Sequence, residues 1–444
     1  MKVLFLTVSL LCFARPGYSA IALVEKEDGW KVELSGFVAP TFIYDTTKSF
    51  AEVIGNAPVL PPNGQKGRTQ FSLRNSRFAF NIIAPAVNDW KSRGYFEFDL
   101  AGYNLAPPNN SEASFSNNPT FRIRHGYMNS EKNGWQFLLG QTWGMLGWQP
   151  HYFIPSIQVA PITGTLYSRT TQIRAIKSLD LSESSALQLG LGIMRPPQKD
   201  GNFPALEGGA RWMLNSWKGA FTSSSTGSHK PQPLSVALSG TVRNFEIPTD
   251  PMTTGSNTAS HTGMGGAVNI LVPVIPSSDG KEIDNNLILG GEFTIGRGVG
   301  DQFNGWTGNQ KNPLSAATSG ANAGAPDKNV NLDAGIGGFD SNNNFHLLDV
   351  QAFNVFAQYH LPERMKTWLA LGYAELMSTN MSAIQIVNGT NVAYSKDQAI
   401  FANISHECTS QIRVAFEFAN IQTSYIDGTM AQNNRLQLST WFIF

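Results

Sequence analysis

Cysteine is nearly absent from this sequence: Cys12 and Cys408 are the only two in 444 residues. Cys12 falls in the leading segment discussed below, so the remaining chain holds one thiol and no internal disulfide can brace it. Charge is also scarce. Asp, Glu, Lys and Arg make up 14% of the chain, against about 25% in ordinary soluble domains, so part of the surface is expected to meet something other than water. Beyond the first residues no run of 18 apolar residues occurs, which excludes transmembrane helices. An excess of either sign is missing too, since 32 basic residues face 32 acidic ones; that balance argues against a nucleic-acid partner. The seven histidines show neither H-E-x-x-H nor a close Cys/His spacing, and no G-x-S-x-G is present. A dedicated zinc site, a serine hydrolase and a bound cofactor are therefore not expected.

What is present begins with an export signal. Lys2 gives a basic start, Val3 to Ala14 is apolar and too short for a bilayer span, and Ala20-Ile21-Ala22 is a small-x-small pattern. These residues predict a signal peptide over 1–22, cleaved after Ala22, with cleavage after Ser19 as the alternative. Residues 23–444 then form a single domain in which 30 basic residues stand against 32 acidic ones.

The dominant pattern is period two. At the end of the chain, Leu436, Leu438, Thr440, Phe442 and Phe444 share one face and Arg435, Gln437, Ser439 and Trp441 the other. Similar alternation marks 95–100, 121–124, 187–193, 234–243, 287–295 and 412–418, and a run over 32–44 interrupted by Pro40. Less regular strands are expected at 68–83, 134–143, 166–178, 204–216, 262–275, 346–360, 365–379 and 396–407. The total is about sixteen, within 14 to 18. Long polar connections (45–67, 105–118, 144–165, 299–345 and 380–395) alternate with tight turns at 131–134, 361–364 and 407–410. Segregation of loop length by side is the signature of an all-β, transmembrane antiparallel β-barrel with short periplasmic turns and long extracellular loops. Alternation between lipid and water also explains the slightly negative mean hydropathy. Only the connection at 217–232 breaks the rule.

Charge along the chain is uneven. Residues 66–177 hold twelve Lys/Arg and five Asp/Glu. Strand parity turns Arg122 and Arg124 toward the lumen, opposite Phe121 and Ile123, and likewise Glu97 and Asp99. Arg74 and Arg77 are inward by phases that differ by one residue, which predicts a bulge at Asn75 or Ser76; an Arg held in mid-lipid would cost about 2–4 kcal/mol. Arg174 is inward, and Arg169 is expected beyond its strand end. This set of arginines, offset in part by Glu97 and Asp99, would favour small anions, or would pair with the acids and brace the wall. Trp148, His151, Tyr152 and Phe153 sit in the connection 144–165, which is expected either to fold inward as a constriction or to point outward. Asp340, Asn342 and Asn344 follow the rhythm of a calcium loop but lack its Gly and final Glu. Gly296, Gly298 and Gly300 read as a strand end.

Several blocks resemble the Gram-negative trimeric porins of the DcaP-like type: "FSLRNSRFAF" at 71–80, "YFEFDLAGY" at 95–103, "FRIRHGYMN" at 121–129, "WQFLLGQTWGML" at 135–146, "RTTQIR" at 169–174, "GEFTIGRGVG" at 291–300 and "NNRLQLSTWFIF" at 433–444. The terminal Phe with an aromatic two residues before it also resembles the signal read by the outer-membrane assembly machinery. The resemblance implies a homotrimeric channel in the Gram-negative outer membrane, bedded in lipid and lipopolysaccharide, that admits small hydrophilic and preferably anionic solutes such as organic acids. A plugged or purely structural barrel, and an outer-membrane hydrolase, are the alternatives.

Overall fold

A computed structural model describes residues 20–47, 59, 67–102, 120–158, 162–198, 201–222, 231–249, 257–303, 333, 335–340, 344–362, 364–384 and 393–444. The signal segment through residue 19, most of the connections 45–67, 105–118, 299–345 and 380–395, and Asn342 lie outside the described residues.

Sixteen strands close a single antiparallel barrel. They are β1 (Lys31–Val38 continuing as Thr41–Asp45), β2 (Arg68–Ser72 continuing as Arg77–Ile83), β3 (Lys91–Gly102), β4 (Thr120–Lys132), β5 (Trp135–Trp143), β6 (Arg169–Asp180), β7 (Ser185–Met194), β8 (Ala205–Ala220), β9 (Pro231–Pro248), β10 (Thr258–Ile275), β11 (Asn286–Arg297), β12 (Asp349–His360), β13 (Thr367–Ser378), β14 (Tyr394–Glu407), β15 (Ile412–Tyr425) and β16 (Met430–Ile443). Each pairs with its sequence neighbour. β16 closes on β1 at Phe37–Ile443 and Val38–Phe442, and again over Thr41–Asp45. Closure leaves no open edge along the wall, the condition a sheet must meet to cross hydrocarbon. No helix among the described residues is long and apolar enough to span a membrane.

The alternation read from the sequence is the alternation of faces. Leu189, Leu238, Val268, Phe293, Phe353 and Phe416 are exposed on the outside, while Ala237, Asn269, Glu292, Asn354 and Glu417 on the same strands are buried within. Polar residues are buried there because a connection fills much of the lumen, as described below.

Two wall defects lie side by side. Pro40 has no amide to give the ladder, and β1 breaks between Val38 and Thr41. Opposite, β2 breaks at the expected bulge: Leu73 to Ser76 form a turn, with the Ser76 amide on the Leu73 carbonyl at 2.9 Å. The two breaks satisfy each other, since the Ala39 amide donates to Ser76 Oγ at 3.0 Å. The turn brings both Arg74 and Arg77 into the interior, where they are buried.

The irregular connection 217–232 is shortened by longer strands but stays long, with residues 221–230 between them. β8 runs to Ala220 and β9 starts at Pro231, with a register shift between Leu214 and Lys218. The bulge carries Asn215, Ser216 and Trp217 as extra residues, which is why alternation fails there. On the long-loop rim one connection is tight, Ile426 to Thr429, where Gly428 at φ +86° takes the left-handed conformation. Gly298 (φ +67°) likewise turns the chain at the end of β11.

The short strand Ile21–Glu25 pairs with Lys31–Leu34 on the edge of β1 that faces β16. Gly36 and Phe444 exchange backbone hydrogen bonds of 2.9 and 3.0 Å just above it, so this strand prolongs the line of β16. Cleavage after Ala22 would delete two of its four paired residues. We therefore propose processing after Ser19, within Gly17-Tyr18-Ser19. Intact mass of the protein from membranes should give Ala20 as the first residue, and a chain starting at Leu23 would refute the proposal.

Candidate pore and constriction site

The connection between β5 and β6 crosses the lumen. It carries no Asp, Glu, Lys or Arg from Gly144 to Ser168, so its entry into the barrel brings no charge to desolvate. Its roots are held by inward carboxylates on distant strands. Glu207 of β8 accepts the amides of Met145 (2.6 Å) and Leu146 (3.1 Å). Glu292 of β11 accepts the amide of Leu166 (3.1 Å) and Asn269 Nδ2 (2.8 Å). Between them the Gly147 amide reaches Ser239 Oγ at 2.7 Å, and Asn354 Nδ2 reaches the Gly164 carbonyl at 3.2 Å.

The expected constriction residues divide in two. Trp148 and Tyr152 are buried against β8 and β9: Trp148 Nε1 donates to the Leu238 carbonyl (3.1 Å), and the Tyr152 hydroxyl donates to Ser235 Oγ (2.9 Å) and accepts from Arg211 Nε (3.2 Å). His151 between them is exposed. Phe153 turns back to the other wall, 4.9 Å from the Trp143 ring and 5.7 Å from Tyr167.

That other wall holds the charges. A bulge at Arg124 sets His125 opposite Glu97 and Ile123 opposite Phe98, so Arg124 and His125 both point inward. Arg122 grips Asp99 with two bonds, Nε to Oδ1 at 3.0 Å and Nη2 to Oδ2 at 2.6 Å. Arg124 donates to Glu97 Oε1 (2.6 Å), Asp99 Oδ2 (3.0 Å) and the Tyr167 hydroxyl (3.4 Å). The Tyr95 hydroxyl completes Glu97 at 2.9 Å. Arg174 is half-buried and donates Nη1 to the Trp143 carbonyl at 3.1 Å. Thus the structure brings Arg77, Glu97, Asp99, Arg122 and Arg124 together with Arg174 nearby, and much of the cluster is internally paired.

Arg169 departs from its expected place beyond the strand. It is the first residue of β6, paired in register with Trp143. Its guanidinium lies 4.8 Å from the Trp143 ring centroid and 5.3 Å from that of Tyr167. Among the described residues it has no carboxylate partner. Parity failed there because Trp143 at the strand end folds inward onto Phe153 and Tyr167 instead of outward to lipid.

Tyr167 reports the sign of the local potential. Burial alone would push its phenol up, but Arg124, Arg169, Arg122 and Arg77, in that order, pull it down to about 7. Below that value the phenol is neutral; above it the phenolate adds one negative charge to the site. Preference for anions should accordingly weaken as pH rises through about 7, read as a drop in the reversal potential across a KCl gradient. Tyr167→Phe should abolish the change, and a pH-independent wild type would contradict it.

Of the calcium-like rhythm, Asp340 and Asn344 are described and Asn342 lies outside the described residues. Asp340 Oδ1 accepts the Asn344 amide at 2.9 Å and Oδ2 meets His346 Nε2 at 3.1 Å, closing the hairpin between Gly337–Phe339 and Phe345–Leu347. Among the described residues no three His, Cys, Asp or Glu side chains are grouped so as to hold a metal.

A closed sixteen-stranded wall, apolar outside and polar within, crossed by an inward connection, defines a transmembrane barrel of the outer-membrane type. The structure is similar to the outer membrane channel DcaP of Acinetobacter baumannii, with a TM-score of 0.64 at 18% identity over 95% of this chain and 99% of that one. It is also similar to OprB of Pseudomonas putida, with a TM-score of 0.51 at 11% identity over 93% and 94%. At these identities the likeness establishes the fold. No protein-family model matches the sequence, and no curated protein matches it.

Proposed function

We propose that this chain is a porin of the Gram-negative outer membrane, conducting small hydrophilic solutes and favouring small anions such as organic acids. One observation carries the sign. The inward connection carries no Asp, Glu, Lys or Arg, so only the phenol of Tyr167 on it can offset the facing wall, where four arginines gather round that phenol and, among the described residues, Glu97 and Asp99 oppose them. Rings of cationic side chains raise local anion concentration in a narrow aqueous path. The paired geometry of Arg122 and Arg124 makes them bracing groups as well, and Arg169 is the more available cation. The outer wall at Phe71 and Phe121, 75% and 71% exposed, fits lipid, lipopolysaccharide or the neighbouring copy of a homotrimer. No cofactor and no catalysis are part of this reading.

Planar-bilayer recording of the purified protein tests it: steady conductance with an anion-selective reversal potential is expected. The packing of Leu146, Trp148, Tyr152 and Ile154 with inward residues of the wall favours one other reading, a barrel closed by its own connection. That barrel would give no steady current.

A further inference from the structure

The middle of the inward connection, Pro155–Gln158, reaches the wall farthest along the chain from its own strands. There Asn403 of β14, Glu417 of β15 and Gln437 of β16 stand in one cross-strand row, Asn403 opposite Glu417 and Glu417 opposite Gln437. All three are buried. Asn403 Nδ2 donates to the Pro155 carbonyl at 2.9 Å, and Gln437 Nε2 donates to the Ile157 carbonyl at 3.2 Å. Glu417 takes the opposite role. It accepts the Ile157 amide (2.8 Å), Ser156 Oγ (2.9 Å), Gln158 Nε2 (3.1 Å) and Asn403 Nδ2 (3.0 Å). Four donors converge on one carboxyl group, an arrangement that only an acceptor can serve.

Glu207 and Glu292 hold the two roots of the same connection. Their loss would leave the middle attached, whereas loss of the Glu417 row would free the middle while the roots stay fixed. We propose that Asn403, Glu417 and Gln437 form a latch, with Glu417 its positioning residue, which holds the connection against the far wall and so fixes the cross-section of the pore. The inference rests on the porin reading and adds the device that sets its aperture.

Glu417→Gln is the test, made in the full chain and recorded in planar bilayers. The change keeps the shape but turns one acceptor into an NH2 group facing donors, so bonds on that side are lost. The steady level should give way to fluctuation between levels, with transitions about tenfold or more as frequent, and neutral polyethylene glycols that the wild type excludes should enter. A folded Glu417→Gln protein, judged by unchanged heat-dependent gel migration, with a wild-type trace and wild-type polymer cut-off would overturn the latch; a purely structural role would lower heat resistance and leave the trace alone. Should Glu417→Gln not fold, Ser156→Ala with Gln158→Ala removes two donors from the connection side without touching the wall, and the same two outcomes decide. A wild type that never conducts overturns the porin reading together with the latch, whereas a conducting wild type with a steady variant overturns the latch alone.

Discussion

Replacing Arg124 with methionine is expected to destabilise the barrel by about 3–5 kcal/mol. The side chain has no solvent exposure and is the shared partner of Glu97 and Asp99. Arg122 still covers Asp99 after the change, but Glu97 would lose its direct ion pair with Arg124 and keep the Tyr95 hydroxyl and the weaker field of Arg77. A buried carboxylate stripped of its direct ion pair, rather than the value of the lost contacts, supplies most of the loss. Adding Glu97→Gln should return part of the stability, because the pair then leaves together. Urea unfolding in detergent, followed by circular dichroism, measures both variants. Equal stability of Arg124→Met and the parent would mean that the cluster is open to water and not a brace.

Exchanging Arg122 and Arg169 for glutamate should invert the selectivity. The group around Tyr167 goes from four arginines and two carboxylates to two arginines and four carboxylates, a net change from +2 to −2. Arg122 is suited to the exchange because its side chain is 34% exposed, and Arg169 because it holds no carboxylate. Arg124 is left in place, since its removal would confound selectivity with folding. A permeability ratio moved about tenfold toward cations is expected, seen as a reversal potential of opposite sign in a KCl gradient. An unchanged potential would take both residues out of the conduction path and leave the cluster as bracing alone.

The wall was legible because period two is a backbone property: once Leu187 to Ile193 or Leu436 to Phe442 alternate, the facing residues follow without knowledge of the partner strand. The defects were legible where they carried a chemical cause, as at Pro40, or a phase conflict between charges, as between Arg74 and Arg77. Arg169 was misplaced because alternation holds only while the strand is flat against lipid, and its partner Trp143 turns inward at the rim. Residues 21–25 were divided between the signal peptide and the domain that follows because four of them are apolar, which suits an export signal and an edge strand alike. Glu207, Glu292 and Glu417 were missed for a different reason. A carboxylate at an inward position reads the same whether it meets water or a loop amide, and the loop that supplies those amides is distant in sequence and silent in charge.

That silence separates two properties that channels often entangle. On the proposed porin reading, the sieve would be set by a strap without Asp, Glu, Lys or Arg and by the points where it is tied, whereas attraction or repulsion of ions would be set mainly by side chains on a different stretch of wall. Refitting the strap between Gly144 and Leu166 with bulkier or smaller neutral residues would rescale the largest passenger admitted while leaving ionic preference where it was, and recharging the wall would do the converse.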